Sequence, residues 1–160
     1  MTDSVSKYIG RLSAVISSLE QAAIAVSGGV DSMTLAILVH REFATRAKIF
    51  HATSPAVPAE ATARVRRYAG LLGWTLHVVE TGEFDDPAYI GNPVNRCYFC
   101  KIDLYGTISQ KTSAVVLSGA NLDDLGDYRP GLQAAHEHSV RHPFVEAGVD
   151  KSTIRTIARY

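Results

Sequence analysis

The chain has 160 residues, 46% of them hydrophobic, and its 16 Lys and Arg balance 16 Asp and Glu. That size and apolar content suit one domain with a real core and exclude a disordered segment. The zero net charge argues against a surface that grips long nucleic acid, and leaves room for one small anion held by local donors.

The start of the chain lacks the basic opening and apolar run of a signal peptide, and no stretch approaches the ~20 apolar residues of a membrane helix. A cytoplasmic protein is the expectation. Residues 5–19 read as an amphipathic helix that covers one face of the fold. Residues 22–26 form a short β-prone run that ends at Ser27-Gly28-Gly29, and residues 33–43 follow as a buried helix. Residues 48–53 are a second strand, with Thr53 at its carboxyl end. Pro58 opens a helix that Gly73 stops, and Trp74 enters a third strand, over 75–79, as a core side chain. Residues 81–95, broken by Gly82, Pro87, Gly91 and Pro93, have the length of a lid or binding loop. A helix over 98–109 and a strand over 114–117 follow. This βαβ alternation predicts a parallel sheet with helices on both faces.

Beyond the fourth strand, Pro130 opens another helix. His136, His138 and His142 lack a ligand pattern, because Pro143 breaks their helix, and they read as surface residues. In residues 150–160, Ile154, Ile157 and Ala158 make one apolar stripe, preceded by Val149, with no Gly or Pro stop before Tyr160. The stripe packs either on its own domain or against a second copy or a separate polypeptide.

The most informative string is Ser27-Gly28-Gly29-Val30-Asp31-Ser32, between a predicted strand and a predicted helix. Glycines there let backbone N–H groups approach a phosphate, and the helix N-terminus adds partial positive charge. Ser27 and Ser32 offer hydroxyls. Asp31 repels phosphate unless a cation bridges them, which points to Mg²⁺ on a pyrophosphate. The plain alternative is a tight turn with a Ser/Asp helix cap. Neither a Gly-Lys-Ser/Thr ending nor G-x-G-x-x-G is present, which argues against a Walker loop and a nicotinamide dinucleotide.

The string resembles the PP-loop of the ATP pyrophosphatases, which split ATP between the α- and β-phosphates. That resemblance implies an α/β, Rossmann-like fold of the adenine nucleotide α-hydrolase type. Two further strings, Asn95-Arg96-Cys97-Tyr98-Phe99-Cys100-Lys101 and Gly119-Ala120-Asn121-Leu122-Asp123-Asp124-Leu125-Gly126-Asp127-Tyr128-Arg129-Pro130-Gly131, with Ser54-Pro55, are similar to the LarE family of sacrificial sulfur transferases. The likeness covers nearly the whole chain. It implies adenylation of a carboxylate on a pyridinium mononucleotide, followed by sulfur transfer in nickel-pincer cofactor synthesis. The family continues into a C-terminal region that carries the donor cysteine and phosphate-holding basic residues. Nothing here matches that region, so the expectation is one PP-loop domain over 1–160 that adenylates, working as a homo-oligomer or with a partner polypeptide.

The expected sites follow. ATP lies on Ser27, Gly28, Gly29, Val30, Asp31, Ser32, Thr53 and Asn121, with Mg²⁺ on Asp31 and Asp124. Asn121 and Asp124 follow the fourth strand, where open α/β sheets bind ligands; the plain alternative is an Asx turn capping the next helix. Asp123 then points away into solvent. Arg129 either holds a phosphate or carboxylate bidentately or pairs with Asp127 or Glu137, and the resemblance favours the ligand. Arg129 thus joins Asp31 and Asp124 in the expected catalytic set. Arg96, Cys97, Cys100 and Lys101 face the acceptor. The two cysteines stay open between a reactive or sulfur-carrying pair, half a metal site and structural residues one turn apart, because zinc wants four ligands. Competing functions are a non-catalytic nucleotide-binding subunit completed by a partner chain and, last, a tRNA-thiolating enzyme.

Overall fold

The computed structural model describes residues 3–82, 87–91, 94–126 and 130–160. Helix α1 (Asp3–Ser17) precedes strand β1 (Ala22–Val26), helix α2 (Val30–Phe43) and strand β2 (Ala47–Thr53). Helix α3 (Ala59–Leu72), strand β3 (Thr75–Glu80), the short α4 (Pro87–Gly91) and α5 (Arg96–Lys111) come next. Strand β4 (Val115–Leu117), a 3-10 turn (Leu122–Gly126), α6 (Pro130–Glu137), α7 (Pro143–Glu146) and α8 (Lys151–Ile157) complete the order.

The four strands pair in parallel in the order β3-β2-β1-β4. This is the parallel sheet with helices on both faces that the alternation predicts, and the Rossmann-like fold that the resemblance implies. Progress from β1 through β2 to β3 runs one way across the sheet, and the next crossover returns to the far side of β1. Right-handed crossovers therefore set α2 and α3 on one face and α5 on the other. The strand side chains divide accordingly. Ile24, Val26, Ile49 and Leu117 join α1, α2, α3, α7 and α8 in one core, whereas Ala23, Ala25, Phe50 and Val116 join α5 and α6 in a smaller one. Every residue of β1 is buried, as a central parallel strand requires.

Element ends differ from the sequence reading by a few residues, for local reasons. Helix α2 begins at Val30 rather than residue 33, because its first turn is tied to the preceding loop through the Ser32 hydroxyl, while Val30 is exposed and adds nothing to the buried stripe. Pro58 precedes the first turn of α3 instead of occupying it. Gly73 ends α3 in the left-handed conformation (φ 67°), its N–H donating to the Ala69 carbonyl. Trp74 is buried, as expected. Helix α8 buries Ile154 and Ile157 of the apolar stripe in the larger core, while Ala158 is exposed. The histidines depart from expectation. Of His136, His138 and His142, only the first is exposed; His138 lies half-buried beside the Tyr105 ring, and the His142 Nδ1 is 2.7 Å from the Ser118 hydroxyl. Among the described residues, no helix is long and apolar enough to cross a membrane.

Candidate active site

The sheet's order reverses between β1 and β4, and the loops leaving these two strands flank the crevice at that switch point, where open α/β sheets bind ligands. The loop after β1 carries Ser27 to Ser32. Gly28 takes φ +84°, and a Cβ there would stand 2.9 Å from the Ala61 carbonyl oxygen, so only glycine fits beneath α3. Ser32 is buried and holds the loop together. Its Oγ accepts from the Ser27 N–H (3.1 Å) and donates to the Gly29 carbonyl (3.2 Å), committing its single proton inside the loop. Ser27 Oγ lies 3.2 Å from it and accepts from the Gly29 N–H at 3.3 Å. Ser27, Gly29 and Val30 are exposed on the open side.

The loop after β4 presses directly on this one. A Cβ on Gly119 would fall 2.7 Å from the Ser32 N and 2.8 Å from its Cα, so the backbones touch only because residue 119 has no side chain. Two residues on, the fully buried Asn121 donates from Nδ2 to Asp31 Oδ2 at 3.2 Å. The Asp124 carboxylate accepts the Asn121 N–H at 3.0 Å, while Asn121 Oδ1 accepts the Asp123 N–H. An Asx turn and a link to the β1 loop thus coexist in one segment. Asp123 is exposed, as expected, and in addition accepts the Lys151 N–H at 2.7 Å. This bond fixes the start of α8, whose Lys151 Nζ reaches to 3.7 Å from Asp31 Oδ2.

Asp31 is the electrostatic centre of the arrangement. Burial raises its pKa, Asp124 pushes in the same direction, and Lys151 and Arg155 pull it back. Oδ2 is held by Asn121 and Lys151, while Oδ1 is buried with no hydrogen-bond partner. An orphaned carboxylate oxygen at a helix N-terminus, with a second carboxylate nearby, fits a divalent cation. Mg²⁺ typically takes one or two carboxylates and completes its shell with water and phosphate oxygens. Among the described residues, no group of three or more His, Cys, Asp or Glu forms a self-sufficient metal site, so a cation here would need a ligand's oxygens.

Thr53 stands at the carboxyl end of β2, where its hydroxyl donates to the Val79 carbonyl at 3.3 Å. Behind the phosphate loop, α3 supplies contacts that the sequence reading missed. Buried His51 lies 2.8 Å from the Val26 carbonyl through Nδ1 and 2.8 Å from Thr62 Oγ1 through Nε2. A carbonyl only accepts, so Nδ1 carries the proton and Nε2 takes the threonine's. Two residues along, Arg64 Nη1 donates to the Gly28 carbonyl at 2.6 Å. Arg64 also lines a cleft of about 390 Å³ between α2, α3 and the residues after α8, with Gly28, Met33, Tyr68 and Tyr160 among its walls. Only spacing in three dimensions identifies these partners; Arg64 is 36 positions from Gly28.

The residues expected to face an acceptor gather around the first turns of α5. Cys97 is exposed and Cys100 half-buried, and neither forms a disulfide. Arg96 folds back on α4, donating to the Tyr89 carbonyl at 3.4 Å and lying over the Tyr89 ring. Lys101 lies over the Tyr105 ring, and its stem packs where a Cβ on Gly131 would be, 3.3 Å away. Helix α6 is thus seated on α5 behind the cysteines. Arg129, with Asp127 and Tyr128, lies outside the described residues.

Comparison with known proteins places this geometry among relatives. The chain is 39% identical over 145 residues to the uncharacterized protein slr1717 of Synechocystis sp., covering 88% of this chain and 54% of that one. It is 28% identical over 154 residues to the pyridinium-3,5-bisthiocarboxylic acid mononucleotide synthase of Lactiplantibacillus plantarum, covering 92% and 55%. The chain therefore spans about half the length of these relatives. Among solved structures, the NH3-dependent NAD synthetase of Campylobacter jejuni superposes with a TM-score of 0.76 at 19% identity, over 98% of this chain and 72% of that one. The U34-tRNA thiolase NcsA of Methanococcus maripaludis, solved with its [4Fe-4S] cluster, gives 0.67 at 15% identity, over 97% and 63%. At these identities the superpositions speak for the fold. No family model matches the chain.

Proposed function

Because the chain belongs to the LarE-like group of the PP-loop ATP pyrophosphatase superfamily, we propose that it binds ATP across the β1–β4 crevice and adenylates an acceptor carboxylate. The observation that carries this reading is Asp31: one carboxylate oxygen is buried and unpartnered, and the other is fixed by Asn121 and Lys151 at the mouth of a glycine loop. Asp31 and Asp124 would hold Mg²⁺, which neutralises charge on the departing pyrophosphate.

The chain's own residues supply the rest. Amide groups of the loop and the N-terminus of α2 receive the phosphates, with Lys151 and Arg155 adding positive charge on the α8 side. The acceptor carboxylate oxygen attacks the α-phosphorus, the bond from that phosphorus to the αβ-bridging oxygen breaks, and pyrophosphate leaves. The products are an acyl adenylate and pyrophosphate, so electrons balance without any redox partner. Catalysis of this kind rests on positioning and charge stabilisation more than on covalent steps by the protein.

The acceptor class follows from the relative that makes a pyridinium bisthiocarboxylic acid mononucleotide. A carboxylate carried on a pyridinium mononucleotide is the proposed acceptor, and the α5 residues Arg96, Cys97, Cys100 and Lys101 with Arg129 its proposed binding set. Exposed Cys97, at the start of α5, is also the thiol best placed to meet an activated acyl group. The test is stoichiometric: AMP and pyrophosphate appear in a one-to-one ratio only with Mg²⁺, ATP and a pyridinium carboxylate all present. Nucleotide binding with no pyrophosphate under any acceptor would reduce the chain to a nucleotide-binding module.

A further inference from the structure

We propose that Arg64 is a positioning residue that locks the Gly28–Gly29 peptide in its phosphate-receiving orientation. The inference rests on the nucleotide reading above and assigns the loop a control that lies outside it, on α3. A loop with two adjacent glycines approaches a phosphate closely, but it also has a weakness. The peptide between them can rotate as a unit, with compensating changes in the Gly28 ψ and the Gly29 φ. Gly29 now has φ −77° and ψ 159°. A half-turn of its peptide would carry φ into positive values, which glycine tolerates and other residues resist. The rotated peptide would present a carbonyl oxygen, instead of an N–H, to an incoming anion.

The structure contains the restraint. The Gly28–Gly29 peptide is trans, since the described residues contain no cis bonds, so its C=O and N–H point in opposite directions. Arg64 Nη1 holds the carbonyl at 2.6 Å, on the cleft side under α3. The Gly29 N–H is thereby turned the other way, where it donates to Ser27 Oγ at 3.3 Å on the exposed side of the loop, a long bond that an incoming phosphate oxygen would replace or share. The helix that carries Arg64 is itself anchored to the sheet: Thr62 binds His51, which binds the β1 carbonyl of Val26. Ala61 closes the space around Gly28 Cα. Three near-consecutive α3 residues therefore hold the back of the loop, and Arg64 alone among them binds the carbonyl whose direction matters.

Hydrogen bonds to a charged donor are strong enough that losing this one should weaken phosphate binding by roughly ten- to a hundredfold. The experiment compares wild type, Arg64→Met and Arg64→Lys by calorimetric titration with Mg·ATP and with adenosine, at low salt and at about 0.5 M NaCl, alongside thermal melts. Lysine keeps a charged donor on a long stem. The expected result is a Mg·ATP affinity lowered at least about tenfold in Arg64→Met and largely restored in Arg64→Lys. Adenosine affinity and melting temperature should stay near wild type, and the Mg·ATP loss should persist at high salt, where long-range charge effects are screened.

Unchanged Mg·ATP affinity in Arg64→Met overturns the assignment. So does a loss that vanishes at high salt, which would make Arg64 a distant charge, or an equal loss for adenosine with a lower melting temperature, which would make it merely structural. A wild-type chain that binds neither nucleotide nor nucleoside overturns the nucleotide reading and this inference together, a pattern none of the other outcomes produces.

Discussion

The two faces of the sheet are built differently, and the site divides along the same line. On one face, a large core joins strand residues such as Ile24 and Ile49 to Leu12, Leu35, Val39, Phe144 and Ile154 from α1, α2, α7 and α8. On the other, Leu104, Tyr105, Ile108 and Ala135 make a smaller core beneath α5 and α6. The phosphate loop, Asp31 and Lys151 belong to the first face, and the cysteines to the second. Groups that must neutralise concentrated phosphate charge sit on the more heavily anchored side. The side that would meet a variable acceptor has exposed, lightly supported side chains. Precision of the charged groups thus draws on the larger share of apolar burial, as a preorganised electrostatic site requires.

The sharpest way to break this comparison is Asp31→Ala. It should lower pyrophosphate release by about two orders of magnitude or more, the scale of removing a key charge-stabilising group, with the far-UV circular dichroism unchanged. Asp31→Asn should be equally inactive yet melt a few degrees higher. The sign follows from burial, which raises the Asp31 pKa: the folded chain binds this proton more readily than the unfolded one, so ionised Asp31 costs stability at neutral pH. Next in size are core truncations. Leu35→Ala, fully buried in the larger core, should cost roughly 3–5 kcal/mol in denaturant melts, against roughly 2 kcal/mol for Leu104→Ala at the edge of the smaller one. Equal costs would erase the asymmetry.

Smaller still, Cys97→Ala and Cys100→Ala should leave ATP affinity within about threefold, because both lie on α5, which packs on the sheet face opposite the helix that follows the phosphate loop. Mass spectrometry after turnover sharpens this result, since loss of one sulfur from the chain would identify a sacrificed cysteine. The smallest expected effect concerns His142, bonded to Ser118 near the junction of the two faces. Burial lowers its pKa, so the unfolded chain takes up the proton first. Its contribution is complete above about pH 6.5 and is lost as pH falls through that value towards the lower folded pKa. His142→Gln should flatten the melting temperature between pH 7.5 and 5.5 by on the order of 1–3 °C.

Much of this was legible in the residues because the controlling signals are local. A five-residue apolar run running into Ser-Gly-Gly marks both β1 and the loop, and Gly73 marks the end of α3. The loop after β4 was legible in part: Asn121 and Asp124 were placed at the carboxyl edge, but the Asp123 bond to Lys151 was not foreseen. Arg64, His51 and Lys151 escaped for one physical reason. Each acts through a bond to a distant segment, and a single Arg or Lys among the polar residues of a helix gives no periodic or spacing signal of its own. His142 was misread because Pro143 opens α7 instead of breaking a helix that carries the histidines, α6 having ended at Glu137, and no spacing signal ties the ring to Ser118 after β4.

Asp31 draws its partners from far along the chain, Asn121 at 90 positions and Lys151 at roughly 120. On a ribosome adding ~5–20 residues per second, roughly six to twenty-four seconds separate the emergence of the glycine loop from that of its last charged neighbour. During most of that interval β1 has lost access to nothing on the β2 side, but its other edge, over residues 22–24, awaits β4. A nascent chain halted before residue 115 would therefore display β1 with one open edge, and Asp31 without its Lys151 and Asn121 partners. The window of exposure to mispairing, and to chaperones that recognise open strands, is written into the order in which the sheet is threaded.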